Sequence, residues 1–142
     1  MNCLFAEKVL LALLATAAFS GTALAQAAKS DFGRDEYEAS CAVCHGTEGR
    51  GNGPYIEHLR KDPTDLTTLA KRNGGVLPVK RIYEMIEGEH VSAHGSRDMP
   101  IWGNAYRAQS RDWVIGSAPD RQVYVRSRIL ALVDYIYRIQ VY

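Results

Sequence analysis

Strong charge of either sign is missing from this chain. Across 142 residues the formal net charge is only +1, which argues against a general nucleic-acid binder, since that needs a marked excess of Lys and Arg. Cysteine is scarce, with three in all, and Cys3 lies ahead of an N-terminal apolar run. No second Cys pair accompanies Cys41 and Cys44, so a four-ligand zinc site has no obvious completion. The flanks of that pair supply no βαβ context for a thioredoxin-like motif. No Gly-Lys-Ser/Thr follows the glycine-rich stretch, which removes a phosphate-binding loop. Alternating strand patterns, repeats, low-complexity tracts and any acid–base or nucleophile constellation are likewise missing. Hydrophobic residues at 46% are enough for a packed core, and the expectation is one all-α domain.

The N-terminus reads as a leader. Lys8 precedes the apolar run Val9–Ala15, and Ala23-Leu24-Ala25 matches the small-x-small pattern of a signal-peptidase site. The expectation is a signal peptide over 1–25, cleavage after Ala25, and a mature domain over 26–142 in the periplasm. The alternative is an uncleaved N-terminal anchor. No other stretch is apolar and long enough to span a bilayer.

Cys41-Ala42-Val43-Cys44-His45 carries the chemistry. Cysteines three apart lie about one helical turn from each other, so both sulfurs share a face. Each can form a thioether with a haem vinyl group, and His45 then meets the iron from the same side. C-x-x-C-H is the c-type haem attachment pattern, and the expected cofactor is one haem c.

An iron that only carries electrons needs its second axial position filled. Thioether sulfur opposite imidazole stabilises the ferrous state and raises the potential. Met99, in Arg97-Asp98-Met99-Pro100-Ile101-Trp102-Gly103, is the candidate. Pro100 stiffens the chain after it and Gly103 lets the chain turn. Arg97 and Trp102 can donate to haem propionates. Met85 falls on an apolar helical stripe and reads as core. His94 is the rival ligand; His58 and His90 read as exposed histidines.

A helix is expected over roughly 31–43, capped by Ser30 or Asp31, with Gly33, Tyr37 and Cys41 on one face. The stretch 46–54 reads as a glycine-rich loop. Asp62-Pro63 should start a short helix that Asn73-Gly74-Gly75 ends. Pro78 should open another, with Val79, Ile82, Met85 and Ile86 as its stripe up to Gly88. The last helix should start at Asp120, with Ile129, Leu132, Val133, Ile136 and Ile139 on one face and Arg126, Arg128 and Asp134 elsewhere.

With these residues in hand, the mature chain resembles the class I cytochromes c, the single-haem His/Met type. Gly33-x-x-x-Tyr37-x-x-x-Cys41 resembles that family's N-terminal helix, whose glycine and aromatic meet the C-terminal helix, here at Leu132 and Tyr135. Gly53-Pro54 resembles the Gly-Pro whose proline carbonyl accepts the ligand histidine's proton; Pro63 is the second candidate. The Gly-x-Gly-x-Gly-Pro stretch, Asp65-Leu66-Thr67, Asn73-Gly74-Gly75 and Met99-Pro100-x-Trp102-Gly103 resemble a bacterial branch. The resemblance implies a cytochrome c fold, with N- and C-terminal helices crossing and short helices around the haem. It departs in a longer link over 104–125 and in the missing lysine ring.

The resemblance and the motif together point to electron transfer rather than enzymatic catalysis. The expected protein is a soluble carrier or the cytochrome subunit of an oxidoreductase, with redox proteins, a terminal oxidase among them, as donor and acceptor. The alternative is a haem enzyme or gas-sensing module with a displaceable distal ligand. Charge adds one hint. Residues 97–128 hold six Arg against three Asp, a candidate docking surface for an acidic partner through Arg107, Arg111 and Arg121.

Overall fold

A computed structural model describes residues 30–88, 99–113 and 118–142. The leader over 1–25, Arg97, His90 and His94 lie outside the described residues. Within them the chain is all-α, as expected: α1 (Phe32–Ser40), α2 (Ala42–His45), α3 (Leu69–Arg72), α4 (Val79–Glu87), α5 (Trp102–Trp113) and α6 (Ala118–Arg138), with short 3-10 turns at Ile56–His58 and Leu66–Thr68. None of these helices is long and apolar enough to cross a membrane.

α1 begins where Asp31 caps it, the carboxylate accepting from the Arg34 N–H at 3.1 Å. Gly33, Tyr37 and Cys41 form its buried face, as the four-residue spacing predicts. That face crosses α6. A Cβ on Gly33 would lie 2.4 Å from the Ala131 carbonyl oxygen, so only glycine allows the two backbones this close. Beside the crossing the Tyr37 and Tyr135 rings sit 4.8 Å apart, tilted by 37°.

α6 is the spine, 21 residues or about 30 Å long. Its described part runs from Ala118, so it already includes Pro119 ahead of the expected start at Asp120. Its buried stripe is Val125, Ile129, Leu132, Val133, Tyr135 and Ile136. Past its end, Gln140 accepts from the Ala70 N–H at 2.9 Å and donates to the Leu66 carbonyl at 2.7 Å. The Val141 N–H adds a bond to Thr67 at 2.7 Å. Arg138 makes a two-pronged ion pair with Asp31 at 2.6 and 2.7 Å. The end of α6 therefore ties down both the 66–70 turn and the start of α1.

Two helices differ from expectation. The turn before α3 starts at Leu66, not at Asp62-Pro63, because Asp65 is the cap: its carboxylate accepts from the Thr67 N–H at 2.8 Å and the Thr67 hydroxyl at 2.7 Å. Most of the 104–125 link is helical, as α5 and the start of α6. α5 escaped a periodicity reading because its buried positions, among those whose burial is described, are Gly103, Tyr106 and Ser110, a face without aliphatic side chains.

α4 runs as expected to Gly88, which closes it at φ +79°. Gly88 and Gly103 also bring α4 and α5 together. A Cβ on Gly88 would lie 2.6 Å from Ile101 Cγ2, and one on Gly103 would lie 2.5 Å from the Glu87 carbonyl oxygen. The chain thus leaves α4 and re-enters α5 at one place.

Candidate functional site

Cys41 to His45 form a single turn. The Cys44 and His45 N–H groups both bond to the Cys41 carbonyl, at 3.2 and 2.9 Å. The helix breaks at Cys41 (φ −116°, ψ −35°) and restarts at Ala42. Cys41 is buried, Cys44 half-buried, and both are free thiols. Val43, between them, is half exposed.

The glycine-rich loop folds back along this turn in a regular way. Gly51 N–H bonds to the His45 carbonyl at 2.8 Å, Gly53 N–H to Cys44 at 3.0 Å and Tyr55 N–H to Val43 at 3.0 Å. The carbonyls that α2 would otherwise leave without acceptor duty are each satisfied in turn. Alternate N–H groups, those of residues 51, 53 and 55, face the motif. Gly53 lies hard against the motif backbone, since a Cβ there would lie 2.4 Å from the Val43 oxygen and 2.6 Å from the Cys44 carbonyl. Tyr37 reaches from the helix crossing to donate to the Gly46 carbonyl at 2.7 Å, joining the crossing to the residue after His45.

His45 Nδ1 lies 3.1 Å from the Thr64 carbonyl oxygen. A carbonyl can only accept, so Nδ1 carries the proton and Nε2 keeps its lone pair. This differs from the expected bond to Pro54, which is exposed, and it falls one residue beyond Pro63. Packing gives the reason. The loop holding Pro54 is committed to the α2 carbonyls, while the 63–66 strap crosses it: the Leu66 N–H bonds to the Gly49 carbonyl at 2.7 Å, and Gly51 packs on the Pro63 carbonyl. Burial lowers the His45 pKa from its ordinary value, with the Thr64 bond opposing, so the ring is neutral and able to ligate at neutral pH.

The thiols do not look like a redox pair. Burial, then Glu36 and Cys44, push the Cys41 thiol up to about 12, whereas an attacking cysteine needs a lowered pKa. Among the described residues no group of three or more His, Cys, Asp and Glu side chains is arranged to hold a metal ion.

Met99 is half-buried and packs against the same hydrophobic core that contains Cys41. Trp102, the first residue of α5, packs there too, its ring 6.0 Å from that of Tyr106. His58 is exposed and pairs with the Tyr55 ring at 4.9 Å. Met85 is half-buried on α4, beside the fully core Ile82 and Ile86.

A buried polar cluster adjoins Cys41 and was not foreseen. Glu36, 4% exposed, accepts from the Tyr106 hydroxyl at 2.5 Å and the Ser40 hydroxyl at 3.1 Å. It also pairs with Arg128 Nη2 at 2.6 Å. The Arg128 guanidinium stands 5.2 to 5.4 Å from the ring centres of Phe32, Tyr106 and Tyr124. Arg128 therefore belongs to the interior of the helix junction and not to an acidic partner's docking surface. A signal did exist in the sequence. Glu36 interrupts the stripe 33, 37, 41 and Arg128 interrupts the stripe 125, 129, 132, with opposite charges on two helices expected to cross. Thr64 left no such trace, because a backbone carbonyl has no side-chain signature.

Comparison of the chain with family models, curated proteins and solved structures finds no match.

Proposed function

We propose that this chain is an exported, single-haem c-type cytochrome of the class I type, carrying one electron between periplasmic redox proteins. The observation that carries the proposal is the Cys41–His45 turn, with two free thiols one turn apart and a histidine whose Nδ1–H is spent on the Thr64 carbonyl. Support also comes from the α1–α6 crossing at Gly33, Tyr37 and Tyr135, since the resemblance implies a crossing of N- and C-terminal helices.

The bound haem would supply the ferrous–ferric couple. Cys41 and Cys44 would hold the macrocycle covalently, so that it stays against its ligand when the fold loosens. His45 would offer Nε2 to the iron, its ring fixed by Thr64 and its basicity raised by that bond. The glycine loop leaves no room for the motif turn to shift. Met99 would offer its sulfur as the second iron ligand, and filling that position would keep small molecules away. Trp102, beside Met99 in the chain, would serve the propionates together with Arg97.

Expression with a periplasmic haem-attachment pathway tests this directly. The secreted protein should start at Gln26, carry the mass of one haem and show a low-spin spectrum with a weak long-wavelength iron–sulfur band. Cys41→Ser/Cys44→Ser should be colourless. A wild-type protein that emerges without haem, its thiols free or joined, overturns the proposal. Rapid carbon monoxide binding to the reduced wild type would favour the enzyme or sensor reading instead.

A further inference from the structure

Resting on the reading of Met99 above, we infer that Glu36, Tyr106 and Arg128 form a latch that positions Met99, and thereby keeps the sixth iron position closed.

Three observations lead there. First, among the α5 residues whose burial is described, the buried positions are Gly103, Tyr106 and Ser110, and Tyr106 is the large, fully buried one, with Trp102 half-buried against the core. Tyr106 is also where α5 touches the cluster, through its hydroxyl on Glu36 and its ring against Arg128. Second, Met99 stands three residues ahead of α5. Trp102 to Tyr106 is one helical turn, about 6 Å of stiff backbone. The chain enters α5 where Ile101 meets Gly88 and Gly103 meets Glu87. Where α5 sits therefore decides where Met99 sits. Third, the cluster is not an optimal stabiliser. Arg128 Nε is buried with no hydrogen-bond partner among the described residues, and a buried ion pair often contributes little net stability while selecting one geometry. It joins residues of α1, α5 and α6, so it forms only when all three are docked.

The functional consequence follows from the weakness of a thioether as a ligand. His45 is held by a helical turn, a glycine loop and a strap. Met99 depends on how α5 is docked. Releasing the latch shifts the population toward forms in which the sulfur leaves the iron, while the thioethers and His45 stay in place.

Tyr106→Phe keeps the ring and removes only the hydroxyl; Glu36→Gln keeps the shape and removes the charge. In the haem-loaded full chain, both variants should lose iron–sulfur band amplitude. Both should also bind carbon monoxide in the reduced state about tenfold faster or more. Amide hydrogen exchange across Trp102–Ser110 should rise more than across Phe32–Ser40. Arg34→Gln, which removes an exposed pair with Glu38, should change none of these readings. Folded variants that keep the wild-type band and carbon monoxide rate overturn the latch. A wild-type holoprotein with no such band fails earlier, at the assignment of Met99, and removes the latch with it.

Discussion

The His45 side and the Met99 side of this molecule are built on different principles. Around His45 the restraints come from backbone: carbonyls of residues 43–45 paired to N–H groups of residues 55, 53 and 51, and glycines where a Cβ would strike a carbonyl oxygen. On the Met99 side the proposed latch would instead rely on side chains brought together over long sequence distances, Glu36 to Tyr106 and Glu36 to Arg128. A backbone clamp tolerates many substitutions but no added Cβ at its tight points. A side-chain latch yields to the loss of one hydroxyl. On the proposed reading, His45 would be held by backbone and Met99 by a side-chain cluster.

The largest effect should come from the backbone clamp. Gly53→Ala puts a Cβ against the Val43 and Cys44 carbonyls and should cost roughly 3 kcal/mol or more. Chemical denaturation would measure the loss, and haem incorporation should fall with it. An unchanged midpoint would mean that the loop can slide and that the clamp is not rigid. Gly33→Ala, with its Cβ 2.4 Å from the Ala131 oxygen, should cost about 2–3 kcal/mol by forcing α1 and α6 apart. The same assay reads it.

Smaller effects should separate the two sides further. Tyr37→Phe removes the bond to the Gly46 carbonyl and should destabilise by about 1–2 kcal/mol. It leaves the Glu36 cluster untouched, so the iron–sulfur band should survive, unlike in Tyr106→Phe. The mildest test is acid. The Arg138 hydrogen bonds, helped by the Arg34 N–H, hold the Asp31 carboxyl at about 2, below its ordinary 3.8. The unfolded chain binds this proton first as pH falls. The contribution is therefore complete above the ordinary value and disappears as pH falls from there through about 2. Thermal unfolding of Asp31→Asn should show a shallower decline over that window than the parent, by a small margin because the pair is exposed.

The docking idea is narrower than the charge tally suggested. Of the six Arg in 97–128, Arg128 is committed to Glu36. Arg107 also donates to Asn104 at 2.8 Å. Neutralising Arg107, Arg111 and Arg121 remains the test, read as a loss of salt dependence in the rate of reduction.

Local chemistry made much of this protein readable in advance. The Asp31 cap, the spacing of Gly33, Tyr37 and Cys41, the one-turn Cys41–His45 motif, α4 with its glycine stop and the apolar stripe of α6 all depend on residues close in the chain, where helical periodicity and capping act directly. Non-local geometry settled the rest. The acceptor for His45 is Thr64 because of how the 63–66 strap crosses the glycine loop, and no residue type records a carbonyl's direction. α5 buries Tyr106 through contacts with Glu36 and Arg128 that exist only once α1, α5 and α6 have packed. Burial of the Glu36 carboxylate depends on Arg128 and Tyr106, partners from distant parts of the chain that no local pattern pairs with it.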